Sequence, residues 1–595
     1  MLQHIQNQIK KIVLKKFGIK IGEEIVIEQP PDVKMGDFCF SCFLLVKEVK
    51  KSPKEIAEIL AQEIKSDKII KEIKSVGPYL NFFIRREKFF ENICSAILKQ
   101  KKKKVRSQCV APLLRPRVLI EFSSPNTNKP LHLGHFRSSI LGMSLANFLE
   151  EAGDKAIKIN LINDRGVHIC KAMLAYQKWG ENKTPESEKI KGDHFIGNFY
   201  VLFEKVAKKE QEEKKMEKIT ETNFYKEALE MLKKWEQRDE EIIKLWGKMN
   251  HWVLDGFKKT YQRIGIKFDK YYFESQTYKF GQKIILKAFK KGICYKRKDG
   301  TVEIDLTQYG LDKKVLLRSD GTSVYITQDI GVAKLKFDEF KPSQSIVLTG
   351  AEQIYHFQVL FKILELLDYK WAKKCVHLTH EMVNLPEGKM KSREGKVVDS
   401  DNLLDEMEKI AQEEIKKRDQ NICSKELKQR AKKISLAAIK FYLLKVNPKQ
   451  TICFDPRKSL SFEGATGPYL LYTFARIQSI LRKMPQNKNI KQYHGLVCDA
   501  VNFSSLKEEE EWELAKRIFE FSEVIKKAAQ DYNPAILAEY LLKLAAGFNK
   551  FYHQYSILKA ETKEIQEARL VLIQCVAIIL KKGLNLLGIE EIEKM

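Results

Sequence analysis

Two histidines three positions apart, His132 and His135, bracket Gly134 in the run Pro130-Leu131-His132-Leu133-Gly134-His135. At the start of a helix, side chains at that spacing share one face. Unpaired backbone N–H groups and the positive end of the helix dipole favour an anion there. A glycine between them lets a nucleotide come close to the backbone. The pair therefore reads as donors to phosphate oxygens. The alternative, metal ligation, lacks a third ligand nearby in the sequence. Much further along, Leu385-Pro386-Glu387-Gly388 leads into Lys389-Met390-Lys391-Ser392-Arg393-Glu394-Gly395-Lys396, a cationic loop able to fold over a triphosphate. Lysine-rich loops are common in this chain, so the loop gains weight only by following the histidine element.

The surrounding elements must place these groups. Val118-Leu119-Ile120-Glu121-Phe122 is a short β-rich run, Ser123 to Pro130 a polar turn, and Leu131 to Glu150 a helical pattern. Strand, tight loop and helix open a βαβ unit and predict a parallel sheet. Val302 to Leu306 and Ser345 to Leu348 read as further strands. Residues 204–250 are charged and helical in pattern, an inserted helical subdomain, and after about residue 410 nearly everything reads as helix. Near the start, Ser52 is a plausible N-cap for a helix over Pro53 to Ile64. After the Gly77-Pro78 turn, Leu80, Phe82 and Ile84 alternate as in a strand. The Lys101 to Lys104 run marks a first boundary.

The 595 residues amount to about four domains' worth of chain. With 44% apolar and 10% aromatic residues the chain is too rich in core formers for disorder. The net charge of +28 points to an anionic partner, nucleic acid first. Yet only 19 of the 106 basic residues are arginine, and a coding bias toward lysine could produce the same balance. No apolar run reaches the roughly 18 residues of a membrane span. Cys39 and Cys42 form a C-x-x-C without a second pair, set among Phe38, Phe40, Phe43, Leu44 and Leu45, and read as buried free thiols rather than zinc ligands. No metal centre is expected, and a cytoplasmic, reducing location follows from the scattered cysteines.

The histidine element resembles the HIGH signature of class I aminoacyl-tRNA synthetases, and residues 389–393 resemble their KMSK signature. Longer stretches resemble the arginyl-tRNA synthetases, in their bacterial form: Glu121 through His135, Asn163-Asp164-Arg165-Gly166, Lys191-Gly192-Asp193-His194, Asp320-Gly321-Thr322, Tyr325 through Gly331, Gly464 through Tyr469, and Gly583 through Gly588. Gly36-Asp37 and Val76 through Phe82 are similar to that family's additional N-terminal domain. The resemblance implies an α/β Rossmann-like parallel-sheet catalytic domain with helical insertions over 106–435. It implies an α+β tRNA-binding domain over 1–105 and an all-α anticodon-binding domain over 436–595.

It further implies activation of L-arginine by ATP, with Mg2+, and transfer to a terminal ribose hydroxyl of an arginine-accepting tRNA, by a monomer. Such chemistry is positioning plus charge stabilisation without a covalent enzyme intermediate. His132, Gly134 and His135 would bind ATP together with Lys389, Met390, Lys391, Ser392 and Arg393. Glu121 and Asp329 would take the guanidinium and Tyr325 would line its pocket, although Tyr325 could also be plain core. Ser124, Asn126 and Gln353 would hold the α-amino and carboxylate ends, with other polar choices open beside Gln353. Asn81, Tyr469, Arg476 and Arg482 are candidate tRNA contacts, and Phe474, Asn549 and Tyr552 further ones. The KMSK-like loop departs from its pattern: Ser392 stands where a second lysine is usual. In many arginine enzymes a lysine before HIGH is thought to compensate, which here is Lys129; Lys389, Lys391 and Arg393 remain alternatives. Another class I synthetase would want zinc-ligand cysteines or a cationic pocket, and a non-catalytic tRNA-binding relic would have no need of intact His132, Gly134 and His135.

Overall fold

The computed structural model describes residues 1–21, 25–103, 115–384, 399–483 and 501–595. The expected ATP-loop residues Lys389, Met390, Lys391, Ser392 and Arg393 lie outside the described residues. The chain divides into two compact units. One comprises Met1–Val110, Ile477–Phe521 and Leu544–Ile579, and the other Ala111–Arg476, Ser522–Lys543 and Leu580–Met595.

In the first unit, β1 (Phe38–Ser41), β2 (Ile70–Val76) and β3 (Tyr79–Ile84) form an antiparallel sheet in the order β1-β3-β2. The helix Pro53–Glu63 starts as its sequence dictates: Ser52 and Glu55 form a reciprocal capping box, with proline in the first turn. Phe89 meets Trp512 at 4.6 Å between ring centroids, fixing the helix Arg86–Lys103 to the helix Glu509–Gln530. That first helix carries the chain through the start of the lysine run. Cys39 and Cys42 are free and buried, as their apolar setting implied.

The second unit holds a five-stranded parallel sheet: β4 (Arg117–Glu121), β5 (Lys155–Ile162), β6 (Lys270–Phe273), β10 (Gln344–Gly350) and β11 (Cys375–His380). A smaller antiparallel sheet contains β7 (Tyr295–Lys296), β8 (Val302–Ile304) and β9 (Lys314–Leu317). The large sheet runs β11-β10-β4-β5-β6. Ile120 is level with Ile346 on one side and Leu119 with Ile157 on the other. These apolar strand centres are buried on both faces, as parallel sheets require. Because β4 has later strands on both sides, the order reverses beside it. A crevice outside the carboxyl ends of β4 and β10 is where such sheets bind ligands.

The helical insertion is larger than 204–250: Gly192–Glu213, Asn223–Glu236 and Glu240–Ile264 pack on Val167–Trp179. Gly192 and Gly256 explain how close they come, since a Cβ on Gly192 would strike the Trp252 backbone and one on Gly256 the Asp193 carboxylate. The helix Ser424–Leu444 runs straight across the expected 435/436 boundary. No helix among the described residues is long and apolar enough to cross a membrane.

Candidate active site

At the carboxyl end of β4 the backbone is strained. Ser123 and Ser124 take φ of 77° and 45°, the left-handed region that costs non-glycine residues about 1–3 kcal/mol each. Polar side chains hold them there. Ser123 N–H donates to Ser138 Oγ (3.1 Å), and Ser124 N–H donates to Asn160 Oδ1 (3.1 Å). Asn163 Nδ2 donates to the Ser124 carbonyl (3.2 Å), and Ser123 Oγ lies 2.6 Å from the Tyr261 hydroxyl. Asn126, exposed, then pairs its backbone with Asn163 just past β5.

His132 is the N-cap of the helix Leu133–Ala152. Its Nδ1 accepts from Gly134 N–H, while His135 Nδ1 accepts from His132 N–H, both at 3.2 Å. The two rings stack at 3.8 Å. With each Nδ1 accepting, each proton must sit on Nε2, so each ring offers one Nε2–H donor. Burial first, then the Lys129 charge, lowers the His132 pKa to about 3. His135 is lowered as well, by burial, then His132, Lys129 and His380. The rings are therefore neutral donors, and positive charge for a phosphate must come from elsewhere. Lys129 acts electrostatically on both rings. A Cβ on Gly134 would lie 3.0 Å from the His132 ring, so the glycine serves the ring packing as well as ligand approach.

A second group of side chains is acidic. Asp329 lies in the second turn of the helix Tyr325–Phe340, and Glu274 opens the helix Glu274–Lys290. Gly281 and Gly331 let these helices touch backbone to backbone: a Cβ on either would overlap the other helix. Asp329 Oδ2 lies 2.6 Å from His356 Nε2. Tyr325, at the start of the same helix as Asp329, is 53% exposed. Its pKa is raised by Asp329 first, then by burial, Glu274 and Glu121. Glu274 is pushed up to about 7 by burial, with Arg165 opposing and Asp164 and Asp329 assisting.

The Asn163-Asp164-Arg165 motif builds this corner. Asp164 accepts from Ser275 N–H (2.8 Å) and Ser275 Oγ–H (2.6 Å), setting the start of the Glu274 helix. Arg165 pairs with Glu236 (2.7 Å) and approaches Glu274 (3.7 Å). With its amide nitrogen toward Glu274, Gln328 bridges Glu274 Oε1 (2.6 Å) and Arg165 Nη1 (2.9 Å).

Glu121 differs from its expected setting. It is 6% exposed, and Lys336 Nζ sits 2.5 Å from its Oε2, close enough to neutralise it though off the line of a hydrogen bond. Its charge is thus answered within the protein, whereas the sequence reading gave it to the guanidinium. Gln353 is half-buried just beyond β10.

Glu274 was missed from sequence, as was Arg137. Arg137 is fully buried in the histidine helix and donates to the carbonyls of Glu381, Met382, Asn447, Pro448 and Gln450 at 2.5–3.4 Å. It anchors the chain at β12 (Val383–Asn384) and the approach to β13 (Ile452–Cys453). An arginine two positions after His135, inside an otherwise apolar helical run, was the only signal in the sequence for it.

Of the expected tRNA contacts, Asn81 is 2% exposed in the central strand β3, so its side chain presents no surface to an RNA. Phe474, 3% exposed, is core. Tyr469 and Arg476 are half-buried and Arg482 is exposed on the helix Gly467–Arg482, where the Arg476 guanidinium lies 4.6 Å over the Tyr472 ring.

Comparison with known proteins agrees with this geometry. Residues 93–455 match the family model described as tRNA synthetases class I (R), catalytic domain. Residues 470–595 match the DALR anticodon binding domain, and 2–84 the arginyl tRNA synthetase N terminal domain. The arginine–tRNA ligase of Treponema denticola is 44% identical, covering 97% of this chain and 95% of its own. That of Parabacteroides distasonis is 42% identical, covering 100% and 99%. The solved Thermus thermophilus arginyl-tRNA synthetase superposes with a TM-score of 0.80 at 27% identity over the full length of both chains. The histidine turn, the acidic group around Tyr325 and these full-length likenesses agree, and the chain belongs to the arginyl-tRNA synthetase family.

Proposed function

We propose that the chain activates L-arginine with ATP and ligates it to tRNA, with Asp329 and Glu274 receiving the guanidinium. The observation that carries this reading is the pair of carboxylates whose charges act together on the exposed Tyr325 and on each other. A planar fork of N–H donors asks for such carboxylates. Ser124, Asn126 and Gln353 serve the α-amino and carboxylate ends.

The arginine carboxylate attacks the α-phosphorus of ATP, which enters as its magnesium complex, and pyrophosphate leaves. A terminal ribose hydroxyl of the tRNA then attacks the arginyl carbonyl, and AMP leaves. The Nε2–H groups of His132 and His135 donate to phosphate oxygens as charge develops there. Lys389, Met390, Lys391, Ser392 and Arg393 complete the ATP site. Tyr469, Arg476 and Arg482 contact the tRNA, since aromatics and arginines stack on unpaired bases.

ATP–pyrophosphate exchange with each amino acid in turn, with and without tRNA, tests the reading. Dependence on arginine is expected, and dependence on another amino acid overturns it. The neutral histidines leave the phosphate charge to a lysine, so Lys129→Ala should lower adenylate formation more than Lys391→Ala does. Equal small losses in single-turnover adenylation would refute the role of Lys129.

The Glu274 carboxyl ionises as pH rises through about 7, adding negative charge to the pocket. The KM for arginine should therefore fall between about pH 6 and about pH 8. In Glu274→Gln that dependence should flatten, with KM raised throughout. An identical pH profile in the variant removes Glu274 from guanidinium binding.

A further inference from the structure

The Lys191-Gly192-Asp193-His194 motif is not part of that acidic group, yet it makes a dense polar cluster. Lys191 Nζ donates to Asp193 (2.9 Å), Asp401 (2.5 Å) and Thr260 Oγ1 (2.6 Å). His194 Nε2 lies 3.4 Å from both Asp399 Oδ2 and Asp401 Oδ2. Arg263 binds Glu408 (2.9 Å) and Asp405 (2.6 Å) and approaches Asp401 (3.7 Å). Asp193 is fully buried. The ligand atoms of Asp193, His194 and Asp401 come within 4.8 Å of one another. The Lys191 ammonium already lies between the two carboxylates, so the cation the cluster needs is supplied by the protein.

The far side of this cluster is tied to the histidine turn. Asp399 is the N-cap of the helix Ser400–Arg418, accepting from Asp401 N–H (2.8 Å) and Asn402 N–H (3.1 Å). Its backbone pairs antiparallel with that of His132, and Ser400 N–H donates to the Leu131 carbonyl (3.0 Å). Among the described residues Asp399 Oδ2 is buried without a hydrogen bond, and the His194 ring lies 3.4 Å from it.

We propose that His194, with Lys191, is a positioning residue for the adenylation step, holding Asp399 and Asp401 so that Asp399 keeps the backbone of His132 in register. This rests on the function proposed above. The charged groups acting on His194 are Lys191 and Asp193 beside it and Asp399 and Asp401 at the next helix start, while Thr260 and Arg263 on the helix Glu240–Ile264 contact Asp401. Burial disfavours a charged His194, but Asp401, Asp399 and Asp193 outweigh it, and Lys191 opposes them. The net pKa is raised above its ordinary 6.5. The charged ring is therefore present below that value, and its pairing is lost as pH rises through the raised pKa.

The test is arginine-dependent pyrophosphate exchange across pH, with tRNA present, on the full chain and its His194→Ala and His194→Gln variants. His194→Ala should lower kcat about tenfold, with the KM for arginine unchanged, because a displaced donor harms the transition state and not arginine binding. His194→Gln keeps a hydrogen-bond donor and cannot titrate. It should retain activity within about threefold and lack the fall in rate expected of the wild type as pH rises through the raised His194 pKa. An alkaline fall unchanged in His194→Gln overturns the proposal, as does a kcat for His194→Ala equal to wild type. If His194→Ala does not fold, the His194→Gln profile decides. If the wild type shows no arginine-dependent exchange, the function reading fails by itself. Hydrogen–deuterium exchange at the Ser400 amide then tests the clamp: protection greater in wild type than in His194→Gln near pH 6, and equal near pH 9, supports it, and equal protection at both overturns it.

Discussion

Asp329→Ala is expected to cut kcat/KM for arginine by about 2–5 kcal/mol, or roughly 30- to 5,000-fold, and to leave the KM for ATP unchanged. The loss is large because a guanidinium brought beside Tyr325 would keep its N–H groups but lose an ionised partner. Glu274 cannot fully replace it, since its own pKa of about 7 leaves it partly protonated at neutral pH. That coupling predicts more than a loss. Removing the Asp329 charge also removes a cause of the raised Glu274 pKa, so the variant's pH dependence for arginine should shift to lower pH than in the wild type. Asp329→Asn should behave similarly, since it keeps the volume and a contact to His356 but not the charge. The measurement is pyrophosphate exchange at saturating ATP with tRNA present. Unchanged kcat/KM for arginine in both variants would exclude Asp329 from the pocket.

The second large effect is at His132, where the structure gives one ring two duties. Nδ1 caps the helix, worth about 1 kcal/mol, while Nε2–H is free to serve the reaction, worth about 3 kcal/mol if it meets developing charge. His132→Ala removes both, so Tm and kcat should fall together, kcat by roughly 10²–10³-fold. Asparagine is a preferred N-cap but is too short to place a donor where Nε2 lies. His132→Asn should therefore keep most of the wild-type Tm and lose nearly as much kcat. Thermal unfolding and single-turnover adenylation on the same preparations separate the two duties. Recovery of kcat in His132→Asn would mean that the histidine is a cap and nothing more.

Much of this site was legible as local pattern. The apolar run into Glu121, the polar turn and the histidine helix form a strand–loop–helix whose register needs no distant information. The Ser52 cap was legible for the same reason. Beyond that local pattern, distant partners decided the setting of each residue. Asn81 was expected to contact tRNA, yet it lies in the central strand β3 and is 2% exposed. Glu274 carries no mark in its own neighbourhood; it reaches the acidic group because Asp164, over a hundred positions earlier, accepts from Ser275, and because Gly281 meets the Tyr325–Phe340 helix. Glu121 was read as open to a ligand, and Lys336 on that same helix neutralises it.

The sequence by itself determined the class of chemistry. It contained the order of motifs, the donors for a nucleotide, carboxylates for a cationic amino acid in a chain of opposite net sign, and the parallel-sheet fold. Only the tertiary structure decided which carboxylates gather around Tyr325, which nitrogen of each histidine carries the proton, and that His194 reaches Asp399. The physical reason is range. Helix caps, turns and strand patterns depend on neighbours a few residues away. Charge state and tautomer depend on burial and on the nearest charges in space, which here come from segments brought together only when the sheet and its insertion pack.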